Sequence, residues 1–219
     1  MSIKTEETQQ ASESARPIAR VNRRVENTRN TILDAAVSLY QTQGIDKTSI
    51  SAVIEKSAVG RTTFYRHFND RDDVLNHALM RDFEELMRDF QGASRHYDEL
   101  EVQIEEDMIW FLDQFAHRPA LSILFSDIEW QRYQQSAQSL MYFRRAGIAC
   151  ATPTYQRAEK DGRLRDGITL EQYIDWASFV VVSIQVVKLP SSKNRLHSRE
   201  MLRNFLVPSL IKVPDQPLS

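Results

Sequence analysis

The sequence predicts an all-α chain of about nine helices, in which a three-helix unit of helix-turn-helix type precedes a larger helical body. Three observations carry this. Apolar residues recur at helical spacing along nearly the whole chain. The one run of strand-like composition, Phe179 to Ile184, has no second run to pair with. Charge and aromatics divide near residue 68: residues 16–68 carry nine Lys/Arg against four Asp/Glu, while sixteen of the twenty aromatic residues follow residue 68.

Composition bounds the rest. Of 219 residues, 42% are hydrophobic and 26% charged, enough apolar material for a core without staples. The lone Cys150 excludes an internal disulfide framework and fits a reducing compartment. The polar, glutamate-bearing stretch from Met1 to Ala15 is no signal peptide. The longest apolar stretch, Trp176 to Val187, is broken by Ser178, Ser183 and Gln185 and falls short of the about 20 residues a bilayer span needs. A cytoplasmic protein without membrane contact is expected. The six glycines are scattered, so no phosphate-cradling glycine loop exists.

Taken in order, residues 1–24 are nearly free of apolar side chains and predict a disordered arm whose end carries Arg16, Arg20, Arg23 and Arg24. It is either a solubilising tail or an arm along DNA. Domain boundaries follow at 25–70, 71–212 and a tail at 213–219. From Thr28 the helical period begins, with Ile32, Leu33, Ala36, Leu39 and Tyr40 on one face and Gly44 as the stop. Thr48 suits the N-cap of a second, short helix through Ile54. A third runs Arg61 to Phe68 with Phe64 and Phe68 inward. Asp70 and Asp73 fit a cap and first-turn carboxylate of a long fourth helix ended by Gly92. Leu100 to His117 forms the next, and Pro119 opens another through about Tyr133. Ser136 to Lys160 should be kinked or split at Pro153. Leu170 to Leu189 reads as a helix buried on more than one side, and Ser198 as the cap of a last helix reaching about Leu210.

The segment from Thr28 to Leu75 closely resembles the N-terminal domain of TetR-type transcriptional regulators. The resemblance rests on Ile32-Leu33, Ala35-Ala36, Leu39-Tyr40, Gly44, Thr48-Ser49 and Thr63-Phe64-Tyr65-Arg66-His67-Phe68, followed by the acidic-capped helix. Three positions depart from the family pattern. Ala58 stands where the turn usually has glycine, Gly60 where the third helix usually begins with serine, and Ile54 where a small residue is usual.

The chemistry of these residues is consistent with duplex DNA as partner. A recognition helix puts its N-terminal turn into the major groove. Arg61 can fork onto guanine, Thr62 can meet a thymine methyl or base edge, and Tyr65 reaches a base or a phosphate. Thr63, Arg66 and His67 offer donors to phosphate oxygens, Thr48 and Ser49 begin the second helix, and Arg71 adds a cation at the rim. The resemblance implies the same division: bases for Arg61, Thr62 and Tyr65, backbone for Thr48, Ser49, Thr63, His67 and Arg71.

Two tasks suit the acidic body. A homodimer seam is expected along Tyr173, Val180, Val181 and Ile184 with Leu202 and Phe205. A pocket for a small apolar or amphipathic effector is expected among Trp110, Phe111, Gln114, Phe125, Met141 and Trp176, with Phe115, Trp130, Tyr133, Tyr142, Tyr155 and Phe179 as further walls and ordinary core as the alternative for each. The expected function is therefore a ligand-responsive repressor released from operator DNA. The alternative is an architectural or cell-division factor of the same fold without a ligand. No catalytic residues, cofactor or metal are expected: the five histidines lack ligand spacing, and no nucleophile elbow is present.

Overall fold

The computed structural model describes residues 3–93, 96–124, 137–187 and 194–213. Regular structure among them is helical, apart from one isolated antiparallel bridge between Leu164 and Ile211. The chain divides into two units, Met1–Ala78 and Leu79–Ser219. The division falls inside the fourth helix, later than the expected boundary after residue 70, because Val74 and Ala78 are buried with the first unit's core.

In the first unit, α1 spans Ile3–Gln43. It therefore extends through the segment expected to be a disordered arm. That stretch has few apolar residues, but its glutamate, glutamine, alanine and arginine have high intrinsic helix propensity. Ile32, Leu33, Ala36 and Tyr40 are buried, and Gly44 closes the helix in the left-handed region at φ 83°. α2 spans Ile50–Ser57. Its cap is Ser49, whose hydroxyl accepts from Ala52 N at 3.2 Å, not Thr48. Thr48 is buried instead; its hydroxyl donates to Gly44 O at 2.8 Å and receives Gln43 Nε2. α2 ends at Ala58, the one non-glycine among the described residues with positive φ (54°). Gly60 caps α3, Arg61–Tyr65, with no side-chain bond. α3 stops short of Phe68, but Phe68 N still reaches Phe64 O at 3.0 Å, and both rings are fully buried. α4 spans Arg71–Gly92. Asp70 accepts from Asp73 N at 2.8 Å while the Asp73 carboxylate accepts from Asn69 N at 2.8 Å, so both expected carboxylates cap it.

In the second unit, α5 spans Leu100–His117 and α6 spans Pro119–Leu124. The rest of the helix expected through Tyr133 lies outside the described residues. Asp82 of α4 is buried and accepts from Ala120 N at 2.6 Å and Leu121 N at 3.3 Å, capping α6 from a neighbouring helix. Burial holds its carboxyl above the usual range despite those two bonds. α7, Ala137–Lys160, runs through Pro153 unbroken. Proline deletes a single donor, and the turns on either side keep theirs.

α8, Leu170–Val186, starts on a reciprocal capping box between Thr169 and Gln172. It is buried along one stripe, Tyr173, Ile174, Ala177 and Val181, while Trp176 and Phe179 are exposed. Within the single chain the helix is thus buried along one side, not on more than one. α9 spans Arg195–Met201, capped by Asn194, which accepts from Leu196 N at 3.0 Å; Ser198 lies buried inside it rather than at its start. A π-helical turn, Leu202–Leu206, and α10, Val207–Leu210, complete the helices of the described residues. Glu105 of α5 is buried and ion-paired to Arg199 at 2.6 Å and Arg203 at 2.8 Å, which ties the C-terminal helices to α5. No helix of the described residues is long and apolar enough to cross a membrane.

Candidate nucleic-acid interface and cavity

The buried Phe64 and Phe68 anchor α3 by one face, so that Arg61, Thr62, Tyr65 and Arg66 stand on its exposed face. The guanidinium of Arg61 lies 5.9 Å from the ring centre of Tyr65, which is 46% exposed. Thr63 and His67 are half-buried beside them, and Ser49 is exposed at the start of α2. Burial, then Arg66 and Arg29, hold the His67 imidazole below its usual range. Arg29 of α1 was not singled out by spacing, since only the folded chain brings it near α3; its guanidinium also stands 5.9 Å from the ring centre of Phe68.

Two expected phosphate contacts are altered. The Thr48 side chain is buried and its hydroxyl is already bonded, as described above, so it presents nothing to a phosphate. Arg71 donates to Asp46 O at 3.1 Å and sits 3.7 Å from the Asp46 carboxylate, bracing the α1–α2 loop.

The second unit encloses a cavity of about 430 Å³ between α4, α5, α7 and α8, lined by Phe83, Met87, Phe90, Phe111 and Phe115 among others. Of the expected wall residues Phe111, Phe115 and Phe179 are found there among the described side chains. Trp110 packs against Phe90 and Phe111 outside the lining, with ring centres 5.2 Å from each. Gln114 does not line it either. Trp176 points to the surface and donates Nε1 to Ser209 Oγ at 2.7 Å. Phe125 and the side chain of Met141 lie outside the described residues. Sequence reasoning missed Asp107 and Cys150, which both line the cavity. Asp107 stands in the acidic run Glu105-Glu106-Asp107, whose composition suits a solvated face, but its position on α5 leaves it buried. Cys150 is buried with its thiol 3.2 Å from Met87 Sδ, and burial pushes that thiol up to about 12.

The expected dimer seam also changes. Tyr173, Val181 and Leu202 are buried within the chain's own core and are not available to a partner. Val180 and Ile184 are half-buried. The exposed apolar side chains of the second unit include Trp176 and Phe179, stacked at 5.6 Å, and also Val187, Leu196, Phe205 and Val213. A helix apolar on two stripes does not reveal from spacing which stripe faces inward. Among the described residues no group of three or more His, Cys, Asp or Glu could hold a metal ion.

Comparison with known proteins places this geometry. Residues 32–78 match the N-terminal domain of the bacterial regulatory proteins of the tetR family. An HTH-type transcriptional regulator of Staphylococcus aureus strain MRSA252, SAR2658, is 26% identical over 119 residues, covering 52% of this chain and 64% of that protein. The chain thus matches less than two thirds of that relative's length. Among solved structures, a TetR-family transcriptional regulator from Pectobacterium atrosepticum superposes with TM-score 0.66 at 18% identity, over 88% of this chain and 98% of that one. SmeT, the repressor of the Stenotrophomonas maltophilia multidrug efflux pump SmeDEF, superposes with TM-score 0.60 at 19% identity, over 87% of this chain and 97% of that one. SmeT has also been solved with triclosan. These likenesses show a shared fold.

Proposed function

We propose, from the premise that residues 32–78 form a tetR-family N-terminal domain, that the chain is a DNA-binding transcriptional repressor that a small apolar or amphipathic effector releases from its operator. The observation that carries this reading is the exposed row Arg61, Thr62, Tyr65 and Arg66 on a short helix whose other face is fixed by Phe64 and Phe68. Arg61, Thr62 and Tyr65 read bases; Ser49, Thr63, Arg66 and His67 hold phosphates, with Arg29 beside them. Arg71 braces the α1–α2 loop, and Thr48 fixes the same loop from inside.

A homodimer places two such helices on successive major-groove faces. Its seam is formed by the outer stripe of α8, Trp176, Phe179 and Val180, together with Phe205. The cavity favours the sensor reading over a ligand-free architectural factor: about 430 Å³ is within the range of small-molecule sites. Phe83, Met87 and Phe90 of its wall belong to α4, the helix that begins at Arg71. A ligand that prefers one position of α4 biases where α4 begins, and with it DNA affinity. SmeT's triclosan complex gives the precedent of a small aromatic ligand on this fold.

The test is selection of bound sequences from random duplex DNA by the wild type and by Arg61→Ala. The wild type should yield a two-fold-symmetric site. Arg61→Ala should weaken binding to it by about 1–3 kcal/mol and relax preference at one position per half-site. Arg66→Ala should weaken binding on all sequences alike and flatten its salt dependence. Absence of any selected site, or an Arg61→Ala variant with unchanged preference, overturns the assignment.

A further inference from the structure

We propose that the effector is an uncharged, elongated amphipathic molecule, a long-chain alcohol or amide, whose O–H or N–H is received by the carbonyl that Pro153 leaves without a helical donor in α7. The inference rests on the reading of the second unit's cavity as an effector site and goes beyond it to the ligand's shape and head group. A second cavity of about 460 Å³ adjoins the first. The two share Phe90, Asp107, Cys150 and Thr154 as lining, so these residues form the partition between them. The second is also lined by Gln91, His96, Ala149 and Pro153, all exposed, which puts its mouth at the surface. A molecule reaching through both has its apolar body inside and its head at the mouth.

The charges on these walls are already engaged by the protein. Arg157 donates to Tyr97 O at 2.7 Å and to Asp98 O, and stands 3.8 Å from the Asp161 carboxylate. Asp107 receives Gln103 Nε2 at 3.0 Å and has a further partner. Gln103 in turn accepts from Tyr97 N at 3.0 Å, so Arg157 and Gln103 hold the same stretch of chain ahead of α5. In the apolar chamber Arg144 pairs with Asp175 at 3.1 Å. The buried Cys150 thiol, pushed up to about 12, carries no charge at neutral pH, and His96 stands in water at the mouth. A charged head would leave its own hydration for walls whose charges are taken, and that loss goes uncompensated. An uncharged head gives up far less.

Two hydrogen-bonding groups of the second cavity are open to such a head. Proline has no N–H, so Pro153 leaves the carbonyl of Ala149, one turn earlier on α7, without its helical donor. The neighbouring hydroxyl of Thr154 makes no hydrogen bond among the described residues, whereas that of Thr152 donates to Ile148 O at 2.6 Å. The carbonyl accepts from the head, and the Thr154 hydroxyl donates to the head's oxygen. Phe90 and Phe111, stacked at 4.7 Å, line the apolar chamber that takes the body.

The experiment titrates the full-length protein by calorimetry at neutral pH with four probes of matched size: 6-phenyl-1-hexanol, its isomer 5-phenylpentyl methyl ether, 6-phenylhexylamine and 6-phenylhexanoate. The alcohol should bind about fivefold tighter than the ether, which has no donor, and about tenfold or more tighter than either ion. Pro153→Ala, which returns a helical donor to Ala149 O, should bring the alcohol down to the ether's affinity. Thr154→Val should weaken alcohol and ether alike. Met108→Trp, which fills the apolar chamber, should weaken all four probes. An ion that binds the wild type as tightly as the alcohol overturns the uncharged head, and an ether that matches the alcohol overturns the donor, without needing any variant to fold. A Pro153→Ala variant that keeps the alcohol's advantage overturns the Ala149 carbonyl as its partner. These results leave the cavity standing as an effector site, and the readout leaves the DNA-binding reading intact. Failure of all four probes to bind overturns the effector site itself and the head preference with it.

Discussion

Replacing Ala58 by glycine should stabilise the first unit, and the structure supplies the size of the effect. Ala58 closes α2 at φ 54°, ψ 28°, the left-handed region. An L-residue there gives up roughly 1–2 kcal/mol to the approach of its Cβ and the following carbonyl. Glycine removes that cost but gains freedom in the unfolded chain, which offsets about 0.4–1 kcal/mol. The net expectation is about 0.5–1 kcal/mol of added stability. Gly44 provides the mirror substitution. It has φ 83°, and no atom lies within 4 Å of an added Cβ, so Gly44→Ala meets a backbone cost and no clash. It should destabilise by a similar amount. The assay is native-state hydrogen exchange on buried amides of α1, such as those of Ile32 and Ala36. Tryptophan fluorescence would be blind here, because Trp110, Trp130 and Trp176 all lie in the other unit. Exchange should slow about two- to fivefold in Ala58→Gly and quicken comparably in Gly44→Ala. Unchanged or faster exchange in Ala58→Gly would refute the assignment of strain to this turn.

The remaining predictions concern the second unit. Gly147→Ala would place a Cβ 2.9 Å from Ile174 Cγ2, a stiff β-branch. Overpacking of about 1–3 kcal/mol should outweigh the about 1 kcal/mol of helix propensity gained, lowering the melting temperature, and Ile174→Leu, which removes that branch, should restore it. Arg163, bonded at 3.0 Å, is the main cause that holds the Glu101 carboxyl below its usual range, so the pair's stabilisation is present above the ordinary glutamate pKa and lost as pH falls through the lower folded value. Thermal melts from neutral pH into the acid range should therefore fall less steeply in Glu101→Gln, and parallel curves would exclude the linkage. Phe179→Asp or Phe205→Asp should leave a folded monomer in sedimentation, whereas Val181→Asp, which buries a charge in the core, should lose the fold. A folded Val181→Asp would contradict the assigned inner stripe of α8.

Legibility in the sequence followed the kind of signal. Asp70 and Asp73 were readable as caps because an Asp-x-x-Asp spacing places one carboxylate at the N-cap and the other in the first turn of α4. Thr48 and Ser49 were not separable, since adjacent hydroxyls suit the same cap and only backbone geometry chose Ser49. For the same reason Asn194, not Ser198, begins α9: both are good caps one turn apart. The strained turn at Ala58 was legible as a departure from glycine, since φ there is a backbone demand. In α8 the periodicity was clear but its phase was not, because Tyr173, Trp176, Phe179, Val180 and Val181 are apolar around more than half the helix. That ambiguity hid that the chain's own core takes Tyr173 and Val181 and leaves Trp176 exposed. The cavity carboxylate was hidden in Glu105-Glu106-Asp107, where two of three acidic residues turned out to be buried.

The π turn at Leu202–Leu206 bears on descent as well as on shape. A π turn is an α turn that has taken in one extra residue. Here Val207 N reaches back to Leu202 O, just ahead of Pro208, whose missing donor and bulky ring suit a widened turn. Leu202, Leu206 and Val207 stay buried while Phe205 is turned out. Because the widened turn takes up the extra residue itself, loss of one residue from Arg203-Asn204 would restore an ordinary turn and leave Val207 to Leu210 facing as they do now. Only the outward bulge that carries Phe205 would be redrawn. In a lineage carrying this turn, a change in length of one codon can thus alter an exposed surface while the buried residues on either side keep their places.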